Sequence, residues 1–320
     1  MNRGLRYLAP NLISALGLTF GLLSLVATSE GRYIDACAFL MFAVFTDRFD
    51  GVVARLVKGT SEFGVQLDSL VDFLTFGICP AAVVYQSLSQ QTMLPFQDGK
   101  GHMMLSVGAL IWVLGATFRL ARFNITEEET VGRKRIFFGV PTTLASGLMV
   151  CYFMTFAKYT PQEFGWFVGT FSEPKLFPNF ETPLWIWRSF PIFLTVGGLA
   201  MASSLRMPKL GLARSKAATV FIFGNLMLCS ICAVFTIFPE YMVMPPTMWL
   251  FTFLIWGAVS KEAKSLNPPP IFPRVDAPSG QEPMRPEDDL VPEGSDHPLD
   301  TDDMKWGSTA ELEQPYTVEY

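Results

Sequence analysis

Apolar stretches long enough to cross a bilayer, each closed by a polar or charged break, recur along the first 260 positions of the chain. The first, residues 8–26, follows Arg3 and Arg6. A signal peptide shares that basic start and the small residues Ala27 and Ser29, but the stretch exceeds an h-region and further spans follow, so an uncleaved first helix is expected. Further spans are predicted at 33–53, 65–88, 103–120, 136–156, 186–204, 217–238 and 244–259. Pro80 is expected to bend the third. The pattern predicts an all-α polytopic membrane protein of about eight transmembrane helices, with both termini on one side. The loop at 157–185 carries Trp166, Phe167, Phe171, Phe177, Phe180 and Trp185, a density that suits a membrane interface and not a nucleic-acid platform, so no nucleic acid is expected as partner. From Asn267-Pro268-Pro269-Pro270 onward core-forming residues thin out and acids accumulate, which predicts a disordered acidic C-terminal tail over 261–320.

Composition agrees with this pattern. Half of the 320 residues are hydrophobic and only 17% are charged. The formal net charge of -5 is unevenly spread: residues 261–320 hold 14 acids against 5 bases, which leaves residues 1–260 with 15 against 19. A basic membrane body suits anionic lipid. Arg3, Arg6, Arg55, Lys58, Arg122, Arg133, Lys134, Arg135 and the bases of 206–216 and 261–264 fall on one side of the predicted spans. Arg32, Lys100, Lys158, Lys175 and Arg188 fall on the other, so the first side is the cytoplasmic one. Cys37, Cys79, Cys151, Cys229 and Cys232 all lie in apolar segments and read as small buried hydrophobes, including the Cys229-x-x-Cys232 pair. With histidine only at 102 and 297, a histidine-based mechanism is not expected.

Against this apolar background, Asp47, Asp50, Asp68 and Asp72 need an explanation. Ionised carboxylates at membrane depth are costly unless they pair, bind a cation or line a wet cavity. On a helix, Asp47, Asp50, Gly51 and Ala54 form one stripe, and Asp68 and Asp72 share a face of the next helix. Antiparallel contact across the intervening loop would gather all four carboxylates into an all-oxygen site suited to Mg2+ or Mn2+. Gly51, Ala54 and Gly64 are small where backbones and a ligand must approach closely, and Arg55 is a fixed cation able to hold a phosphate. An intramembrane cation transporter remains an alternative, although clustering of the acids near one face beside Arg55 disfavours a pathway.

The segment from Asp47 to Asp72 reads D-x2-D-G-x2-A-R-x8-G-x3-D-x3-D, and it resembles the motif of the CDP-alcohol phosphotransferase family without a departure. The resemblance implies an integral membrane enzyme that transfers a substituted phosphate from a CDP-linked donor to an alcohol and releases CMP. It implies two divalent ions held by Asp47, Asp50 and Asp68, with Asp72, also placed to touch a metal, as general base and Arg55 as a catalytic cation; a fourth metal ligand with no proton role is the alternative reading of Asp72. It also implies donor contacts at Asp47, Gly51, Ala54, Arg55 and Gly64, and a homodimer packed through membrane helices. Asn11 is open between capping the first helix and touching the donor nucleotide.

The acceptor is read outside the motif. Arg119 and Arg122, with Asn124, stand at the predicted cytoplasmic end of the fourth span, where an i, i+3 arginine pair binds a carboxylate or phosphate, or else anchors to lipid headgroups. Arg119-Leu-Ala-Arg-Phe-Asn124, Ser61–Leu70, Phe76-Gly77 with Pro80-Ala81, and Phe138-Gly-Val-Pro141 resemble the serine O-phosphatidyltransferase branch of the family. That implies CDP-diacylglycerol as donor and L-serine as acceptor; the distribution of basic residues places the site on the cytoplasmic face of an inner or cytoplasmic membrane. Glycerol 3-phosphate, inositol phosphate and choline remain alternative acceptors. The expected organisation is a catalytic membrane core at 1–156, additional helices at 157–260 and the tail at 261–320.

Overall fold

The computed structural model describes residues 3–57, 62–129, 136–164, 166–167, 171, 175–208, 224–225, 227–229, 231–232, 235 and 237–260, with backbone alone at 3–10, 50–57, 62, 125–129, 136–137 and 162. The chain is helical: α1 (Arg3–Ser29), α2 (Tyr33–Val57), α3 (Glu62–Asp72), α4 (Cys79–Ser89), α5 (Gly99–Glu129), α6 (Thr142–Lys158), α7 (Leu184–Ala202) and α8 (Pro239–Val259). Two short strands, β1 (Ile136–Phe138) and β2 (Arg206–Pro208), pair antiparallel with Phe137 opposite Met207. Among the described residues five helical stretches are long and apolar enough to cross a membrane: Asn11–Ser29, Phe63–Ser89, Gly99–Asn124, Leu184–Ala202 and Pro239–Val259. The span expected at 217–238 lies largely outside the described residues, and so does the tail.

Several boundaries differ from the sequence reading. The span expected to start at 136 begins as strand β1, and its helix starts only at Thr142. Gly139 stands between them at φ +83°, and Pro141, at φ -57° and ψ 134°, is extended before the first helical turn. Helix α8 starts at Pro239 and not at 244; its imino acid occupies a first turn where no N–H is required. Pro80 does more than bend a helix. From Phe73 to Ile78 the chain between α3 and α4 widens into a π-helical segment, in which the Cys79 N–H reaches back to the Leu74 carbonyl. Pro80 has no N–H to offer the Phe76 carbonyl four residues back, and Trp112 Nε1 of α5 donates to that oxygen at 3.3 Å. The irregular turn is thereby held from the neighbouring helix.

Helix α1 lies along α2 and also against α3 and the π segment. Gly17 and Gly21 permit that approach: a Cβ on Gly17 would stand 3.4 Å from Thr46 Oγ1, and one on Gly21 only 2.8 Å from Thr75 Oγ1. Helices α5 and α7 pack backbone to backbone where Gly115 meets Gly198. The aromatic loop closes the far side of the core. Trp166 and Phe167 pack on Trp187, with ring centroids 5.8 and 5.7 Å apart, and Trp187 stacks on Phe190 at 5.2 Å.

Candidate active site

Helices α2 and α3 bring Asp47, Asp68 and Asp72 together, with one carboxylate oxygen from each lying within 4.8 Å of the others. All three are half-buried. Asp68 and Asp72 share a face because they are one turn apart on α3, and Asp47 comes to them from just past the middle of α2. The Asp47 and Asp72 carboxyls are in side-chain contact, and the charges of Arg48 and Arg119 both act on Asp47. Oxygen donors alone, gathered at this separation in a largely apolar setting, fit a hard divalent cation. The backbone of Asp50, Gly51, Ala54 and Arg55 continues α2, and their side chains lie outside the described residues.

The acids open into a small hollow between α1, α2 and α3, lined by Ile13, Ser14, Gly17, Ala43, Asp47, Asp68, Val71, Asp72, Thr75 and Phe76. Its walls are apolar apart from the carboxylates and two hydroxyls. Asn11 lies one turn before Ser14 on α1. Because α1 begins at Arg3, Asn11 is inside the helix and does not cap it.

The two arginines singled out together have different partners. Arg119 is buried, donates through Nη1 to Thr142 Oγ1 at 3.0 Å and lies 5.3 Å from the centre of the Phe123 ring. The charges of Asp72 and Asp47 both act on it, so its guanidinium belongs to the acid cluster. Arg122 faces the end of α7. Its Nη2 donates to the carbonyls of Phe138 and Ser203, at 2.7 Å each, and its Nη1 to that of Ala202 at 3.2 Å. Cation and C-terminal carbonyls of a helix complement each other, and Arg122 fastens β1 to α7 in this way. Gly139 completes the joint with an N–H donated to the Leu205 carbonyl at 2.7 Å. Asn124 accepts at Oδ1 from Ser69 Oγ at 3.1 Å, which links the end of α5 to the residue after Asp68. Gly64 lies one turn before Asp68 at the start of α3.

Residues 7–173 match the family described as CDP-alcohol phosphatidyltransferase, just over half of the chain. The chain belongs to that family. It is 31% identical over 198 residues to the CDP-diacylglycerol--serine O-phosphatidyltransferase of Helicobacter pylori (strain ATCC 700392 / 26695), an alignment covering 59% of this chain and 79% of the relative. It is 32% identical over 148 residues to the archaetidylserine synthase of Methanothermobacter thermautotrophicus, covering 46% of this chain and 58% of that one. With the CDP-diacylglycerol--serine O-phosphatidyltransferase of Saccharomyces cerevisiae it shares 35% identity over 133 residues, 39% of this chain and 44% of the relative. Membership makes the chain a membrane-associated transferase of phospholipid biosynthesis and removes the cation-transporter alternative. Helices α7 and α8 lie beyond the matched region.

Sequence reasoning overlooked Arg48, Ser14, Thr75, Thr142 and Ser69. Ser14 and Thr75 carried a signal: each continues a helical stripe, Ser14 with Gly17 and Gly21, Thr75 with Asp68 and Asp72. Thr142 carried none, because its contact with Arg119 spans 23 positions.

Proposed function

We propose that this protein transfers the phosphatidyl group of CDP-diacylglycerol to the hydroxyl of L-serine, giving phosphatidylserine and CMP. The convergence of Asp47, Asp68 and Asp72 beside the buried Arg119 carries this reading. The names of the three relatives support serine as acceptor: two are serine O-phosphatidyltransferases and one is an archaetidylserine synthase.

Asp47, Asp68 and Asp72, with Asp50, would hold two Mg2+ or Mn2+ ions. Bound there, the ions supply the positive charge that lets a pyrophosphate sit among carboxylates. Arg55 and the small positions Gly51, Ala54 and Gly64 receive the CDP part of the donor, with Asn11 at the α1 wall. Asp72 accepts the serine hydroxyl proton as the serine oxygen bonds to the lipid-linked phosphorus. The bond from that phosphorus to the oxygen of CMP breaks, and CMP carries the electron pair away. Arg119 fits the serine carboxylate, a charge that a simple polyol lacks; Asn124, tied to Ser69, orients the neighbouring wall. Arg122 is a positioning residue that keeps β1 and α7 against the end of α5. We assign the chain eight membrane helices in an inner or cytoplasmic membrane, with the catalytic cluster facing the cytoplasm, and two copies to a dimer.

The test is CMP release by detergent-purified protein given CDP-diacylglycerol with Mg2+ or Mn2+. Serine is compared with glycerol 3-phosphate, inositol phosphate and choline, alongside Asp68→Asn. Serine-dependent release that disappears in the variant is the expected result. Release with another alcohol overturns the serine assignment, and release undiminished in the variant overturns the site.

A further inference from the structure

Thr75 is fully buried, lines the hollow beside Asp68 and Asp72, and its hydroxyl has no hydrogen-bond partner. Other helical threonines of this chain satisfy theirs on the carbonyl one turn back: Thr19 on Ala15, Thr117 on Val113, Thr155 on Cys151 and Thr195 on Pro191, each at 2.8 or 2.9 Å. Thr75 stands inside the π segment, where the backbone ladder reaches five residues back instead of four. Within this segment the Thr75 hydroxyl makes no such bond. Ser24, Ser146 and Trp187 also carry buried polar atoms without a partner, but none of them lines the hollow.

We propose that the Thr75 hydroxyl donates a hydrogen bond to a phosphoryl oxygen of the CDP-linked lipid. The proposal rests on the site being that of a CDP-diacylglycerol-dependent transferase. A buried hydroxyl without a partner is costly, so the arrangement persists where a ligand completes it. Two features select the phosphate over the acceptor. Thr75 faces α1 at Gly21, whereas Arg119, buried in the cluster, comes from α5 and is held by Thr142 of α6. A phosphoryl group would bring its counter-charge with the divalent ions that Asp47, Asp68 and Asp72 of the same hollow would hold, and so asks only a neutral donor of the apolar floor at Ile13, Val71 and Phe76. A phosphate entering between the carboxylates with its lipid chains toward the apolar side presents an oxygen to that floor. A Cβ on Gly21 would stand 2.8 Å from Thr75 Oγ1, so a side chain there would displace the hydroxyl.

Full-length wild type, Thr75→Val and Thr75→Ser in detergent decide the matter, through kcat and KM for each substrate, equilibrium binding of CDP-diacylglycerol with Mn2+ but no serine, and thermal unfolding. Valine keeps the shape and removes the hydroxyl. The expected result is a loss of about tenfold or more in kcat/KM and in affinity for CDP-diacylglycerol. The KM for serine is unchanged, the melting temperature is not lowered, and Thr75→Ser regains most of the loss. Wild-type kinetics in Thr75→Val, a deficit confined to the KM for serine, or one that tracks a lowered melting temperature overturns the proposal. If wild type consumes the lipid donor with an alcohol other than serine, the serine assignment fails while the Thr75 comparison still decides; a wild type that neither binds nor consumes it overturns both.

Discussion

Helix α6 carries a charged cluster near each end, and the two are built on opposite principles. At its start, Thr142 holds Arg119 beside Asp47 and Asp72, in a cluster where three carboxylates converge. At its last residue, Lys158 meets Glu240 of α8 at 3.0 Å, with side chains 1% and 4% exposed. There every strong group is answered within the chain: Tyr159 donates its hydroxyl to Glu240 Oε1 at 2.6 Å and accepts the Phe177 N–H at 3.0 Å. One anion faces one cation, and the remaining acceptor capacity goes to a neutral donor. The Asp47 cluster instead brings three carboxylates together at the edge of a hollow beside Arg119, an arrangement suited to receiving a divalent cation and a ligand. A closed pair fixes helices; an open cluster, in which acids gather at the edge of a hollow, binds.

Removing one partner should hurt the closed pair most. Glu240→Ala leaves Lys158 as a buried ammonium without its counter-ion, and a loss of about 3–5 kcal/mol in unfolding free energy is expected. Thermal or denaturant unfolding in detergent reads it. Lys158→Met combined with Glu240→Gln removes both charges, leaves Tyr159 an acceptor and should recover most of that stability. CMP release per folded molecule should stay near wild type in the double variant; a collapse of activity there would mean that the two ends of α6 are not independent.

The open cluster should show the reverse. Asp68→Asn lowers kcat roughly 100- to 1,000-fold, the range expected when one group stabilising transferred charge is lost. The melting temperature stays the same or rises, because one of three converging negative charges has gone. A variant that lost stability in step with activity would place Asp68 in the same class as Glu240. Arg119→Lys is the next largest effect. An ammonium keeps the charge but not the planar fork, so the KM for serine should rise about tenfold while that for CDP-diacylglycerol moves little. An equal rise in both would assign Arg119 to the acids alone.

The acid motif was legible because a helix converts spacing into faces: Asp68 and Asp72 had to point the same way, and Asp47 had few places to go but toward them. The membrane setting was legible from run lengths. What stayed hidden depends on contacts remote in sequence. Nothing local says that residues 136–138 pair with 206–208, so an apolar stretch that begins as a strand reads as continuous helix. Arg119 and Arg122 look equivalent at i and i+3, yet Phe123 and Thr142 hold one beside the acids, while the free carbonyls ending α7 draw the other away. Pro80 announced a disturbance in the third span but not a π turn, because the turn's form depends on Trp112 reaching the Phe76 carbonyl from another helix.

The smallest effect tests how firmly the open cluster is mounted. Ser69 Oγ lies 3.1 Å from both the Val65 carbonyl and Asn124 Oδ1. Its single proton serves one of them at a time, so the link from α3 to α5 is a weak one. It is nonetheless the residue after Asp68, and Asn124 lies five positions beyond Arg119, so the bond relates the acid face to the arginine. Ser69→Ala should cost about 0.5–1.5 kcal/mol of that relation, a fall of several-fold in kcat/KM for serine with unfolding scarcely altered. Asn124→Ala should produce the same fall, and the two together no more than either alone, since both remove one bond. Additive losses would instead give Asn124 a contact of its own with the acceptor, and the open cluster would then extend along α5 past Arg119.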